Sequence, residues 1–255
     1  MADGDVRFEI RDGVAWLTID RPERRNALRP ETIDALLEGL GRASGDDDVR
    51  AICVTGAGQR AFCAGADLAA GGRGPAEGIK RYGQLLLAMA VCPRPLVARV
   101  NGHCMGGGVG LMLSCDLAYA ADDVAIGTPE VNVGLFPMMV AALLVREGCR
   151  KKLMEMVYTG GSMTALEAEQ AGLLTRAWPR GELDEHVEAK LRSIASKAPL
   201  ALGRGRAALS GLEAERLELA LTRMSGELET LMRTEDAAEG MLAFAEKREP
   251  VWKGR

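Results

Sequence analysis

The predicted fold is built around a glycine-rich stretch, Asn101-Gly102-His103-Cys104-Met105-Gly106-Gly107-Gly108-Val109-Gly110. Residues 95–100 before it are apolar and β-branched, which is typical of a buried strand, and residues 111–115 after it favour a helix. Three consecutive glycines between strand and helix let backbone N–H groups approach a ligand closely. The positive end of the helix dipole then favours negative charge on a ligand oxygen. A tight turn that binds nothing explains the glycines equally well.

Composition limits the class of protein. The chain has 255 residues, enough for one large core domain or a core with a small appendage. It is 47% hydrophobic and 27% charged, as soluble globular proteins are, and a net charge of −4 argues against nonspecific nucleic-acid binding. No apolar run approaches the length of a membrane span, and residues 1–11 lack the apolar core of a signal peptide. We therefore expect a cytoplasmic protein with no nucleic-acid or membrane partner.

The six cysteines lie mostly in apolar segments and form no CxxC pair. This pattern indicates reduced, packed thiols rather than a disulfide framework. We expect no metal site, because the two histidines, His103 and His186, lack ligand spacing.

The first half of the chain alternates between strands and helices. Residues 6–11 and 14–20 predict a hairpin around Asp12-Gly13, and Pro30 opens a helix whose apolar residues follow helical spacing. Residues 51–56 predict another buried strand, and a helix is predicted over 76–91. Short strands are predicted over 116–120 and 124–126, and residues 69–75, rich in glycine, predict a mobile loop. Alternating strands and helices indicate a largely parallel sheet.

The second half is predicted to be almost entirely helical. Apolar periodicity covers residues 138–159, 164–171, 181–197, 205–231 and 235–247, and only residues 173–178 look like a lone strand. The composition shifts near 195–200. We therefore divide the chain into a core with the site, residues 1–198, and a C-terminal helical region, residues 199–255.

Several motifs together resemble those of one family. Ala61-Phe62-Cys63-Ala64-Gly65-Ala66-Asp67-Leu68 resembles the AF-x-AGADL motif of the crotonase family, also called the enoyl-CoA hydratase/isomerase superfamily. Residues 101–108, 115–118 and 129–135 match its later motifs in order and spacing, and Arg21-Pro22 with Asn26-Ala27-Leu28 matches its N-terminal signature. The resemblance implies an α/β fold, a spiral of β-β-α turns with a C-terminal helical trimerisation region. It also implies a homotrimer or a dimer of trimers.

The family's chemistry runs through a thioester enolate, whose negative charge is held by two backbone N–H donors. The resemblance places these donors at the amides of Ala66 and Gly107, and each such donor contributes roughly 3–4 kcal/mol to transition-state stabilisation. A backbone donor needs only a small side chain beside it, which suits Ala and Gly. Taken alone, Gly65-Ala66-Asp67 has a less favoured alternative, a turn in which Asp67 caps a helix.

Glu130 is the carboxylate best placed for proton transfer. It is the only acid in residues 124–145, so burial should raise its pKa towards the range useful to a general acid or base. The alternative is a surface glutamate after a turn. The resemblance implies that Glu130 is one of the two family glutamates.

The position of the other family glutamate is Gly110. Hydration by two carboxylates is therefore in doubt, whereas moving a double bond between Cβ–Cγ and Cα–Cβ needs one base. We predict an enoyl-CoA isomerase or hydratase-type enzyme, with isomerisation slightly preferred. Gly110 would equally leave room for a branched or cyclic acyl group, so the alternatives are a decarboxylase or other lyase on a bulky acyl-CoA, or a non-catalytic member that binds CoA esters.

Coenzyme A enters as part of the substrate, and no separate cofactor is implied. The residues expected to contact the substrate or its CoA are Arg24, Arg25, Ala27, Leu28, Ala64, Asp67, Leu68, Gly106, Gly110, Pro129, Lys247 and Trp252. For the last two, a solvated helix end with one packed tryptophan is the alternative. Lys80 and Tyr82 line the acyl pocket or are simply exposed.

Overall fold

Two sheets organise the chain in a computed structural model that describes residues 4–67, 75–145 and 150–255. Leu68 and residues 69–74 of the predicted loop lie outside this range, as does Cys149. The strands are β1 (Val6–Arg11), β2 (Val14–Ile19), β3 (Ala51–Gly56), β4 (Ala61–Cys63), β5 (Leu96–Val100), β6 (His103–Met105), β7 (Leu117–Ala121), β8 (Ala125–Gly127), β9 (Ser162–Thr164) and β10 (Arg176–Trp178). The helices are α1 (Pro30–Gly45), α2 (Pro75–Val91), α3 (Gly107–Leu113), α4 (Met138–Leu144), α5 (Arg150–Thr159), α6 (Ala165–Gln170), α7 (Leu183–Ala195), α8 (Pro199–Leu231) and α9 (Glu235–Glu246).

The larger sheet has the order β1-β2-β3-β5-β7-β10, and every neighbouring pair except β1 and β2 is parallel. The smaller sheet has the order β4-β6-β8-β9. The chain repeatedly places one strand in the large sheet and the next in the small sheet before a helix, as in β3-β4-α2 and β5-β6-α3. This confirms the predicted spiral of β-β-α turns.

The predicted hairpin is confirmed. Asp12 and Gly13 have φ values of 51° and 74°, the left-handed conformation that a tight two-residue hairpin turn requires. In β3 all six residues are buried, as expected for a central parallel strand that is covered on both faces.

The predicted elements differ from the structure where the strands are short. Residues 176–178 are not a lone strand, because β10 pairs with β7 and extends the large sheet. The strands β4, β6 and β9 have three residues each, too few to produce a periodic signal. The helical run over 138–159 consists of α4 and α5, on either side of residues that the structure does not describe.

The C-terminal helical region lies against the core. Helix α8 packs on α2 and α4, and α9 packs on a 3₁₀ turn, Pro129–Val133. The division at residue 198 stays a prediction. Among the helices of the described residues, none combines the length and apolarity needed to cross a membrane.

The five cysteines of the described residues are free, and four of them are buried. Burial raises the pKa of Cys63 to about 12, so its thiol stays protonated at neutral pH. The expectation of packed thiols is confirmed for the four buried cysteines.

Candidate active site

The first candidate donor lies on the turn after β4. Leu28 forms an isolated parallel bridge with Ala66: its N–H donates to the Gly65 carbonyl at 2.7 Å, and its carbonyl accepts from Asp67 at 2.8 Å. In a parallel bridge of this kind, the N–H of the middle residue points away from the partner strand. The Ala66 N–H therefore faces away from Leu28. Ala66 is exposed, so this N–H is free of the bridge and accessible to a ligand.

Buried polar side chains hold this turn. The Arg21 guanidinium lies 2.9 Å from the Asp67 carboxylate and also donates to the Ala27 carbonyl. Asn26 is fully buried and donates to the Ala61 carbonyl at 2.7 Å. Arg21 and Asn26 belong to the N-terminal signature, but their positioning role was not predicted from the sequence. The signal available was their polarity beside the apolar pair Ala27-Leu28, which is buried.

The second candidate donor begins α3. Gly107 is the first residue of the helix, so its N–H has no acceptor within the helix. The preceding Gly106 has φ 52° and ψ −124°, a conformation that only glycine adopts readily. A Cβ on Gly65 would lie 3.1 Å from the Gly107 nitrogen, so the two donor turns touch.

Glu130 lies beside the second turn. It sits in the 3₁₀ turn after β8, and its Oε1 is 3.0 Å from the point where a Cβ on Gly106 would be. Its Oε2 is buried and has no hydrogen-bond partner among the described residues. Burial raises the pKa of Glu130 to about 7, and a hydrogen bond from its own backbone N–H offsets this only in part. The alternative of an ordinary surface glutamate does not fit this burial.

Tyr82 occupies the space beside Gly110. This tyrosine on α2 is buried, and its hydroxyl donates to the Gly107 carbonyl. A Cβ on Gly110 would overlap the Tyr82 hydroxyl. The expectation that Gly110 leaves room for a bulky acyl group is therefore wrong, because the phenol fills that volume. Lys80, on the same helix, is exposed.

A cavity of about 440 Å³ opens next to both donor turns. It is bordered by Ala64 and Met105, which directly precede Gly65 and Gly106. The remaining lining residues are Arg25, Gln59, Arg60, Ala61, Gly102, His103, Asp123 and Arg180. Arg25 and Ala64 were predicted to contact CoA, whereas Arg60 and Arg180 were not. Arg180 pairs with Asp123 and thereby lowers the pKa of that carboxyl.

The other predicted contact residues are more scattered. Pro129 is exposed next to Glu130, and Arg24 is exposed on the 3₁₀ turn Pro22–Arg24. Lys247 ends α9, and Trp252 follows in a tail that folds back on that helix, where Val251 donates to Glu239 at 2.9 Å. The structure brings Ala66, Gly107 and Glu130 together, and no hydrogen bond within the described residues links Lys247 or Trp252 to them. These two remain predictions.

Known proteins similar to this chain identify its family. The family model described as enoyl-CoA hydratase/isomerase matches residues 9–255. A Thermus thermophilus protein provisionally named an enoyl-CoA hydratase is 36% identical over 244 residues, covering 93% of this chain and 96% of that protein.

Solved structures agree over the whole chain. A carnitinyl-CoA hydratase from Mycobacterium avium is 35% identical with a TM-score of 0.86, and all of both chains are covered. An enoyl-CoA hydratase from Mycobacterium avium is 30% identical with a TM-score of 0.89, covering 98% of this chain and 100% of that one. The chain therefore belongs to the enoyl-CoA hydratase/isomerase family, and its fold is that of the crotonases.

Proposed function

We propose that this protein catalyses an enoyl-CoA hydratase/isomerase-type reaction on an acyl-CoA thioester. One observation carries the proposal: a carboxylate with a buried, unpartnered oxygen and a pKa of about 7 lies beside two touching donor turns, all within the described residues. A carboxyl group that titrates near neutral pH can both accept and return a proton. The names of the relatives support an acyl-CoA substrate.

The proposed mechanism runs through an enolate. The thioester oxygen accepts hydrogen bonds from the N–H groups of Ala66 and Gly107, and these preorganised donors stabilise the negative charge that develops there. Glu130 removes a proton from Cα of a β,γ-unsaturated thioester, which forms a dienolate. The acid proton of Glu130 exchanges with solvent, and Glu130 then donates a proton to Cγ, which leaves the double bond between Cα and Cβ.

Isomerisation is the finer part of this proposal. It needs one carboxylate, and the place next to Gly110 is taken by the neutral Tyr82 phenol. Hydration is the second candidate, because the relatives carry hydratase names. The bulky-substrate lyase loses its support, since that argument depended on space at Gly110.

The CoA moiety is proposed to occupy the cavity beside Ala64. The cavity begins next to both donor turns and is lined by Arg25 and Arg60. Guanidinium groups bind phosphate oxygens through charge-assisted hydrogen bonds, as CoA recognition requires.

Self-association through the C-terminal helices is also proposed. Several large apolar side chains are exposed on α8, including Leu200, Leu212 and Leu219, each more than 70% exposed. Such side chains favour contact with another copy of the chain, and a closed ring of three copies would cover them. Light scattering of the purified protein tests this, because a monomer at micromolar concentration contradicts it.

Deuterated water distinguishes the two candidate reactions. Purified protein is incubated in D₂O with 3-enoyl-CoA and 2-enoyl-CoA esters, and the products are weighed by mass spectrometry. Isomerisation introduces deuterium at Cα or Cγ without adding water, whereas hydration adds the mass of D₂O. We expect Glu130→Gln to abolish both outcomes.

The matched control is Glu185→Gln, the same change at an exposed glutamate on α7. It should leave turnover unchanged. If Glu130→Gln also keeps full turnover, or if the parent protein turns over none of these esters, the catalytic proposal is wrong. The non-catalytic alternative then remains.

A further inference from the structure

Tyr82 and Gly110 are far apart in the chain but in contact. The Tyr82 hydroxyl lies where the side chain of any other residue at position 110 would begin. The same hydroxyl donates to the carbonyl of Gly107, the residue whose N–H is the second candidate donor. One phenol therefore touches both the donor turn and the position of the missing glutamate.

Burial fixes the chemical state of this phenol. Burial raises the pKa of Tyr82 well above its usual range, and the negative charge of Glu130 acts in the same direction. The hydroxyl therefore stays protonated at neutral pH and donates to the Gly107 carbonyl. It cannot replace a carboxylate as a base, because it does not ionise.

The Tyr82 ring and Leu86 also leave little space beside Gly110. A Cβ there would lie 3.3 Å from the Tyr82 Cζ and 3.5 Å from a methyl carbon of Leu86. Removing only the phenol oxygen would therefore relieve the overlap but keep the ring packed against α3. The pair can be tested with single-atom changes.

We propose that Tyr82 is a positioning residue for the Gly107 donor, and that Tyr82 and Gly110 form a reciprocal pair that restricts the site to one carboxylate. The phenol requires glycine at position 110, and the glycine admits the phenol. This inference rests on the proposed function, because it concerns the geometry of the same donor turn. It assigns the absence of the second glutamate to packing by Tyr82 rather than to a larger acyl pocket.

A double-mutant cycle tests the pair: the parent, Tyr82→Phe, Gly110→Ala, and the double variant. We expect Tyr82→Phe to lower kcat about tenfold, the scale of one lost hydrogen bond, with KM and the Kd of saturated butyryl-CoA within about twofold. Gly110→Ala should lower activity about a hundredfold in the parent because the new methyl displaces the phenol. When Tyr82→Phe is already present, the same change should cost only a few-fold, a coupling of about tenfold or more.

Matched controls are Tyr158→Phe, at an exposed tyrosine, and Gly41→Ala, at a helical glycine with open space around it. Both should leave kcat and KM unchanged. If Gly110→Ala fails to fold, recovery of folding in the double variant supports the pair, and failure to recover it overturns the pair. A purely structural Tyr82 would lower thermal stability without the selective fall in kcat, and that result also overturns the proposal.

Glu130→Gln is measured in parallel to separate the two proposals. If it retains turnover, the proposed function is wrong. If it is inactive but Gly110→Ala costs the same with and without Tyr82→Phe, only the pairing of Tyr82 and Gly110 is wrong.

A gain-of-function arm sharpens the test. Gly110→Glu alone should be inactive because its Cβ overlaps the phenol, whereas Tyr82→Ala with Gly110→Glu makes room for a second carboxylate. Hydration of crotonyl-CoA relative to isomerisation should then be higher in that double variant than in Tyr82→Ala. An unchanged ratio contradicts the claim that this pair restricts the site to one carboxylate.

Discussion

Asp67 and Glu130 are two carboxylates that flank the same pair of donor turns, and their surroundings differ. Asp67 follows Ala66 directly, and its carboxylate lies 2.9 Å from the buried Arg21 guanidinium. Glu130 lies beside Gly106, and its Oε2 has no partner among the described residues. The first carboxylate is paired, whereas the second is buried without a counter-charge in the part of the chain that the structure describes.

Because their surroundings differ, the two carboxylates have different roles. A carboxylate held by a guanidinium fixes the segment to which it belongs, because charge-assisted hydrogen bonds are strong and directional. A buried carboxylate without a counter-charge binds its proton more tightly, so it can exchange that proton near neutral pH. We infer that Asp67 positions the first donor and that Glu130 transfers the proton.

The largest expected effect comes from breaking the buried pair. Arg21→Met removes the guanidinium and leaves the Asp67 carboxylate without it, which should lower the free energy of unfolding by about 3–5 kcal/mol. Urea denaturation monitored by circular dichroism measures this. The control is Arg7→Met, because Arg7 pairs with Asp20 on the surface and such pairs contribute at most about 1 kcal/mol. Equal losses in the two variants would mean that Asp67 is not held as we infer.

The next effect is on the donor itself. Ala66→Pro deletes one N–H, and we expect kcat to fall about 10²–10³-fold, the usual loss for one oxyanion donor. The Kd of a saturated acyl-CoA should change much less, because the lost hydrogen bond strengthens in the transition state. Ala66→Gly keeps the N–H and should retain activity. A proline variant that folds and keeps half its kcat removes Ala66 from this role.

Much of this arrangement could be predicted from short-range sequence patterns. The hairpin at Asp12-Gly13, the central strand β3 and the glycine turn before α3 each depend on residues adjacent in the chain. Their local conformational preferences agree with the final fold, so the predictions hold. The resemblance to the family then placed the donor turns and Glu130 at particular residues.

The contacts that tune the site could not be predicted in this way. Arg21 pairs with Asp67 across 46 positions, and Tyr82 meets the Gly107 carbonyl across 25. Such contacts depend on how distant segments of the chain pack together, which no periodicity encodes. The same limit explains the wrong expectation at Gly110, because an absent side chain does not indicate which neighbour fills its place.

A smaller effect concerns stability and pH. The pKa of Glu130 is raised from its usual value to about 7, so the folded state holds this proton more tightly than the unfolded state. Stability from this group therefore falls as pH rises from about 4.5 to 7, by roughly 3 kcal/mol in total. Glu130→Gln does not titrate, so this variant should not lose stability in the same way as pH rises.

Urea denaturation at pH 5 and pH 8 measures the pH-dependent loss of stability that Glu130 causes. The stability that Glu130→Gln gains over the parent should be greater at pH 8 than at pH 5, whereas the exposed Glu185→Gln should show no such trend. Asp67→Asn should be less stable than the parent at both values because it loses the ion pair. If Glu130→Gln shows no pH-dependent gain, Glu130 is not buried without a counter-charge.

The smallest effect, a factor of about ten per pH unit, concerns the rate. The base must be deprotonated in the free enzyme, and kcat/KM reports the pKa values of that state. Since burial raises the pKa of Glu130 to about 7, kcat/KM should be constant above pH 7 and fall tenfold per unit below it.

Asp67→Asn distinguishes the two carboxylates in this measurement. If Asp67 only positions the first donor, its amide variant lowers the plateau of kcat/KM but keeps the midpoint near pH 7. Were Asp67 the group that titrates, the fall at low pH would disappear in this variant. A parent midpoint near 4.5, the usual value for a solvated glutamate, would contradict the contrast itself, since Glu130 would then titrate as an ordinary solvated carboxylate.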